Sequence, residues 1–214
     1  MAVSDNDNGI SMPDSVVFDI GNVLLEWDRR LLYRQIFASE EEVERFLAEV
    51  CPMDWHLEFD RGRSFADGIA ERIALFPHYE AELLAYDSRW NDTIPGAIEG
   101  TVAILGELKA AGVPLYAITN FNRDKFDDAM ERFPFLATSF IDTVVSGDER
   151  LIKPDPRIYQ ILFARNDLHP GRTVFIDDTM KNVEAARGVG MHALHFSSPD
   201  RLRRDLVDFG FPLK

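Results

Sequence analysis

Cysteine is nearly absent: Cys51 is the single one in 214 residues, so no disulfide can form within the chain and a reducing compartment is the simpler expectation. A lone cysteine of this kind reads as a small core hydrophobe rather than a nucleophile. No stretch approaches ~18 uncharged apolar residues, the length a membrane-spanning helix needs. Met1 to Ser15 lack a basic start leading into an apolar run, so no signal peptide is read there. Positive charge is also scarce. Lys and Arg total 23 against 37 Asp and Glu, a net charge of −14, and such a surface repels nucleic-acid backbones and anionic membranes. Internal repeats and low-complexity blocks are missing. A cytoplasmic protein, with no nucleic-acid or membrane partner, is the expectation.

Hydrophobic residues make up 46% of the chain, enough to exclude a wholly disordered polymer. The length suits one domain, or one domain carrying a modest insertion. Residues 1–13, rich in Ser, Asn, Asp and Gly, are expected to be a disordered tail.

Val16-Val17-Phe18, ending at Asp19, reads as a buried strand, and Gly21-Asn22 then bends the chain. Residues 30–94 read as helical. Leu31, Leu32, Ile36 and Phe37 share one face. Ser39 with Glu42 forms a capping box ahead of Val43, Phe46, Leu47 and Val50. Ser64 caps a helix that Pro77 ends, and Tyr79, Leu83, Tyr86 and Trp90 suggest another. Between them, Asp54 to Arg63 reads as an irregular, mixed-charge loop.

From Pro95, expected to open a helix, strand and helix alternate. Val113–Ile118, Ile141–Val145, Thr173–Ile176 and His192–Phe196 are the expected strands. Asp155 with Pro156 starts a helix, and Ser198 starts the last one. Repetition of this kind implies a parallel sheet covered on both faces. The fold class is therefore α/β: a three-layer Rossmann-like core, residues 14–29 and 95–214, with a helical cap, residues 30–94, inserted after the first strand.

Ligands of such sheets bind beyond the carboxyl ends of the strands. Three strands end in Asp19, Thr119 and Asp177-Asp178, and Lys153 precedes a helix. Carboxylates, a hydroxyl and an ammonium are the set that can hold a metal ion and a phosphoryl group. Adjacent acids such as Asp177-Asp178 repel unless a cation or donors offset them.

Phe18-Asp19-Ile20-Gly21-Asn22-Val23-Leu24, Ile118-Thr119-Asn120, Lys153-Pro154-Asp155-Pro156-Arg157-Ile158-Tyr159 and Phe175-Ile176-Asp177-Asp178 resemble the four motifs of the haloacid dehalogenase-like hydrolase superfamily. The insertion resembles that family's helical cap, and the resemblance runs from about residue 14 to the end. The Gly-Asn form of the first motif is most similar to the sugar-phosphate phosphatase branch that includes bacterial α-D-glucose-1-phosphate phosphatase.

The resemblance implies a phosphatase acting on a small phosphorylated metabolite, a sugar phosphate foremost; a monomer or a homodimer is the expectation. It implies Asp19 as nucleophile, forming an aspartyl-phosphate. It implies Mg²⁺ held by Asp19, Asp178 and the Gly21 carbonyl, with Asp177 a ligand or just behind the ligands. Thr119 and Asn120 would donate to phosphoryl oxygens, and Lys153 would balance developing charge.

One position departs from the pattern. Many phosphatases of the family carry a second Asp two residues after the nucleophile, which protonates the leaving oxygen and later activates water. Gly21 stands there, and Asn22 cannot transfer protons as an acid does. An undemanding leaving group, such as an anomeric, aryl or acyl phosphate, is one answer. An acid from the cap, with His56 or Glu58 as candidates, is another. The third is different chemistry: a metal-independent 2-haloacid dehalogenase uses the same Asp19 to expel halide and needs no proton, although Asp177-Asp178 would then lie unneutralised.

Remaining candidates carry bland readings beside functional ones. Asp28 caps the next helix or touches substrate, and Asn182 orients Asp19 or a metal-bound water, or faces solvent. Arg61 and Arg63 are surface charges or substrate grips. Trp27, Trp55, Phe59 and Trp90 are packing or a sugar-stacking platform.

Overall fold

The computed structural model describes residues 12–213. Of the expected disordered tail, residues 1–11 lie outside the described residues, while Met12 is exposed and Pro13 buried. Five strands build one sheet: β1 (Ser15–Phe18), β2 (Leu115–Thr119), β3 (Asp142–Val145), β4 (Thr173–Asp177) and β5 (His192–His195). Their order is β3-β2-β1-β4-β5 and every pairing is parallel.

β1 is central, with Val17 in register with Tyr116 on one side and Phe175 on the other. Both of its faces are covered, which is why it reads as an unbroken apolar run. Successive side chains alternate between the faces. Val17, Ile118 and Phe175 pack with Ile158, Tyr159, Leu162 and Val183. Val16, Phe18, Val174 and Ile176 pack on the opposite side with Ile104, Leu105, Leu108, Leu202 and Leu206.

The helices follow in chain order. α1 (Arg30–Tyr33), α2 (Glu40–Glu49), α3 (Met53–Asp60), α4 (Phe65–Leu75) and α5 (Glu80–Ser88) lie between β1 and β2, followed by α6 (Glu99–Ala110). α7 (Arg123–Arg132) and α8 (Phe135–Thr138) precede β3, and α9 (Ser146–Glu149) and α10 (Pro156–Asn166) precede β4. α11 (Met180–Gly188) and α12 (Pro199–Asp208) complete the chain. Helices α10 and α11 cover one sheet face, and α6, α7 and α12 the other, giving the expected three-layer parallel architecture. No helix among the described residues is long and apolar enough to cross a membrane.

The expected caps form. Ser39 and Glu42 make a reciprocal capping box on α2, Ser64 caps α4, Asp155 caps α10 and Ser198 caps α12. Two expectations need correction. Pro95 does not open a helix: the chain from Gly96 to Ile98 is held extended, with Gly96 O accepting from Glu26 N and Ile98 N donating to Leu24 O, so α6 starts at Glu99. Asp54–Arg63 is not an irregular loop. Met53–Asp60 is helical, burying Trp55, His56, Phe59 and Asp60 on one face, and two of those four are polar, which hid the amphipathic pattern.

Candidate active site

A cavity of about 450 Å³ opens at the carboxyl ends of the strands, where β1, β2, β4 and helix α3 converge. Asp19 follows β1 directly. Its Oδ1 accepts a 2.6 Å hydrogen bond from Ile20 N, which orients the carboxylate. Gly21 and Asn22 then turn the chain, as expected. Asn22 sits at φ 53, in the left-handed region that Asn tolerates, and its Oδ1 accepts from Trp27 N at 3.0 Å.

Lys153 is buried, and its Nζ lies 2.7 Å from Asp19 Oδ1 and 2.7 Å from Asp177 Oδ2. Burial alone would pull the ammonium down, but Asp177 and Asp19 more than offset it, leaving the group above an ordinary lysine and charged. Burial pushes the Asp19 carboxyl well up; Lys153 pulls it down, and Asp177 pushes it up again. Asp178 is also raised, by burial first and by Asp177 second.

Asp177, the last residue of β4, is completely buried and well supplied with donors. Thr179 N reaches its Oδ1 at 2.8 Å, and Asn182 Nδ2 reaches both oxygens at 3.1 Å. Asn182 therefore holds Asp177 and does not face solvent. Asp178 lines the cavity, and its backbone carbonyl accepts from His195 Nε2 at 2.8 Å.

One carboxylate oxygen from each of Asp19, Asp177 and Asp178 lies within 4.8 Å of the others. Three hard oxygen donors around a single ammonium leave the cluster short of positive charge, and a divalent cation with oxygen preference fits that deficit. Gly21 also lines the cavity.

Thr119 ends β2 and is buried, outside the residues that line the cavity. Asn120 does line it, but its amide is engaged: Nδ2 donates to Lys153 O at 3.2 Å, and Oδ1 accepts from Lys153 N at 2.7 Å. That clasp fixes the Lys153 loop and leaves one amide hydrogen for a ligand.

The structure places the two cap candidates, His56 and Glu58, differently. His56 reaches the cavity wall, yet its ring stacks on both Trp27, at 5.0 Å, and Trp90, at 5.8 Å, which also touch each other, and its Nδ1 is 2.8 Å from Tyr86 Oη. Burial, reinforced by Arg29, pulls it down to about 3, so the imidazole is neutral. Glu58 is exposed, is not part of the cavity lining, and pairs with Arg61 at 2.5 Å. Asp60 falls within the stretch expected to be a loop, yet it is buried and lines the cavity. Its one sequence signal is the spacing: it stands one helical turn after His56.

The other candidates separate cleanly. Trp27 and Trp90 line the cavity, whereas Trp55 and Phe59 pack with each other and with Tyr86. Arg61 is at the wall, Arg63 pairs with Glu71, and Asp28 accepts from Arg30 N at the start of α1. Cys51 is buried, with burial pushing its thiol up to about 12, consistent with a core role.

Comparison with known proteins places this geometry. A family model described as haloacid dehalogenase-like hydrolase matches residues 71–196, more than half the chain. A sesquiterpene phosphatase of Aspergillus oryzae is 25% identical over 183 residues, covering 86% of this chain and 89% of that protein. An enzyme of the same family from Bacteroides thetaiotaomicron, solved with magnesium and inorganic phosphate, superposes with a TM-score of 0.70 at 21% identity, covering 87% of this chain and 95% of that one. An L-2-haloacid dehalogenase from Xanthobacter autotrophicus superposes at 0.62 with 18% identity, covering 94% and 85%. These structural likenesses establish the fold.

Proposed function

This chain belongs to the haloacid dehalogenase-like hydrolases, and from that premise we propose that it is a Mg²⁺-dependent phosphatase of small phosphorylated metabolites, working through an aspartyl-phosphate on Asp19. The observation that carries the reading is the bridging of Asp19 and Asp177 by Lys153 Nζ, 2.7 Å from each, beside Asp178. A metal-independent dehalogenase has no use for two further carboxylates beside its nucleophile. A phosphatase uses them to hold a cation.

In this reading Asp19, Asp178 and the Gly21 carbonyl would hold Mg²⁺, with Asp177 behind them, fixing Lys153. When bound, the ion would supply charge neutralisation at the phosphoryl oxygens. Asp19, oriented by Ile20 N, attacks phosphorus in line with the leaving oxygen. Lys153 stabilises the charge that develops on the equatorial oxygens. Asn120, with its remaining amide hydrogen, binds the phosphoryl group, and Thr119, buried at the end of β2 and outside the cavity lining, backs it. Residues 30–94 act as the cap over a core formed by 14–29 and 95–214.

Sugar phosphates lead the substrate classes by motif resemblance. The cavity wall favours a second class: Leu25, Trp27, Met53, Leu57, Trp90 and Ile94 present apolar surface to the organic part of the ester, which suits a hydrocarbon or aromatic alcohol. The similarity to a sesquiterpene phosphatase supports the same class.

The test is phosphate release from sugar, aryl and isoprenoid phosphates, and halide release from 2-haloacids, each with Mg²⁺ or EDTA. Asp19→Asn is the control. Phosphate release that needs both Mg²⁺ and Asp19 supports the reading. Halide release in EDTA overturns it.

A further inference from the structure

Among the described residues, three carboxyl groups line the cavity: Asp19, Asp178 and Asp60. Two belong to the acidic cluster at the strand ends. The third arrives on a different element, as the last residue of α3.

Nothing in the packing gives the Asp60 carboxyl a structural task. Its side chain is 7% exposed, and no described residue donates a hydrogen bond to its oxygens. The nearest ring nitrogen, His56 Nε2, stands 3.5 Å from Oδ2, on an imidazole that is uncharged. A carboxylate at a helix C-terminus also faces the negative end of the helix dipole. Burial pushes this group up to about 7, with Arg61, Lys153 and Arg29 pulling the other way, so near neutrality it exchanges a proton readily.

The backbone around it is firmly held. Ser146 Oγ donates to Asp60 O at 2.6 Å, and Asn122 Nδ2 donates to Phe59 O and Arg63 O at 3.3 Å. Gly62, at φ 88, packs so closely on Gly147 that a Cβ would lie 2.4 Å from its carbonyl oxygen. These contacts tie the end of α3 to the loop after β2 and to α9, so Asp60 keeps a fixed place relative to the core. At Gly21, meanwhile, a Cβ would meet nothing within 4 Å, so the first motif leaves that space open.

We propose that Asp60 is the acid–base residue of this site, performing the proton transfers that Gly21 cannot. The proposal rests on the phosphatase reading above. In the first step an Asp19 oxygen forms a bond to phosphorus, and the bond from phosphorus to the ester oxygen breaks. That oxygen takes the electron pair and a proton from the Asp60 carboxylic acid, leaving as the alcohol. In the second step the Asp60 carboxylate takes a proton from water as the water oxygen bonds to phosphorus. The acyl-phosphate bond breaks, Asp19 is released as a carboxylate, phosphate departs, and Asp60 is again the acid.

The two steps give Asp60 a signature that a structural residue lacks. The experiment measures kcat/KM and kcat for an aryl phosphate, p-nitrophenyl phosphate, and for a primary alkyl phosphate, with Mg²⁺, in the wild type, Asp60→Asn and Asp60→Ser. A positioned acid contributes ~10²- to 10⁴-fold, and only where the leaving group needs a proton. Both variants should lose at least ~10²-fold in kcat/KM on the alkyl ester. On the aryl ester kcat/KM should stay within about 3-fold, because nitrophenolate leaves unaided. A burst of nitrophenol should then appear, since the second step has lost its base. Retained aryl kcat/KM also shows that each variant is folded. Equal losses on both esters, or no loss on either, would overturn the role of Asp60. Failure of the wild type on both esters would overturn the phosphatase reading instead, so the two failures are distinct.

Discussion

Asn120 and Lys153 are joined twice, side-chain amide to backbone: Asn120 Nδ2 to Lys153 O at 3.2 Å and Lys153 N to Asn120 Oδ1 at 2.7 Å. The clasp ties the loop before α10 to the end of β2, and so sets where the Lys153 ammonium stands between Asp19 and Asp177.

Asn120→Ala removes both halves of the clasp. Two part-buried hydrogen bonds at about 1 kcal/mol each predict a stability loss of about 2 kcal/mol. Loss of register at Lys153 should lower kcat by ~10-fold or more, since small misplacements of reacting groups are costly. Chemical denaturation and steady-state kinetics on the same variant check the pair of effects. Unchanged kcat with the expected stability loss would limit Asn120 to a structural role.

Lys153→Met leaves Asp19 and Asp177 buried without their shared cation. Breaking a buried charge arrangement from one side costs about 3–5 kcal/mol, and removing a preorganised charge partner costs ~10²-fold or more in rate. A fall in Tm at pH 8 with turnover near the detection limit is expected. Near-normal turnover would remove Lys153 from the proposed chemistry.

Mg²⁺ should raise Tm in the wild type, because a ligand that binds only the folded state stabilises by RT ln(1 + [L]/Kd). Asp178→Asn should abolish the rise, while Asp28→Asn, on a residue outside the cavity, should leave it intact. This reads the ion site without reference to turnover. An undiminished rise in Asp178→Asn would move the ion away from the acidic cluster.

Asp60 also makes a prediction about stability. Its carboxyl titrates near 4 when unfolded and is pushed up to about 7 when folded. Between those values the folded protein binds a proton that the unfolded chain has released, so stability falls as pH rises through pH 4–7 and levels off above. Asp60→Asn removes that loss. Relative to wild type, Asp60→Asn should be about as stable at pH 4 and more stable at pH 8. The gain is on the order of 4 kcal/mol, since each tenfold change in proton affinity is worth about 1.4 kcal/mol. Parallel Tm curves for the two proteins across that range would refute this titration of Asp60.

Gly21→Asp tests the open position directly. A Cβ there meets nothing within 4 Å, so the change should fold without a large penalty. Placed on Asp60→Asn, it should recover at least ~10-fold in kcat/KM on the alkyl ester, as a positioned acid returns. No recovery in a folded double variant would show that position 21 cannot deliver a proton to the leaving oxygen.

The strands and their terminal polar residues were legible because they are local. Val16-Val17-Phe18 before Asp19 and Thr173–Ile176 before Asp177 are short apolar runs that can only be buried strands, and a parallel sheet puts their carboxyl ends on one edge. Asp19, Asp177 and Asp178 could be named without coordinates for that reason, and Lys153 by its place in the motif before the helix that Asp155 and Pro156 start. Helix α3 and Asp60 were not legible. The α3 face is half polar, and what buries His56 and Asp60 comes from far along the chain: Trp27, Tyr86 and Trp90 around the imidazole, and Ser146, 86 residues away, on the Asp60 carbonyl. Burial sets whether an ionisable side chain keeps its proton, and burial of a charged residue is decided by tertiary contacts. The sequence therefore named the residues at the sheet edge, while only the packed structure showed that His56 is a neutral wall and that Asp60 is a buried acid facing the cavity.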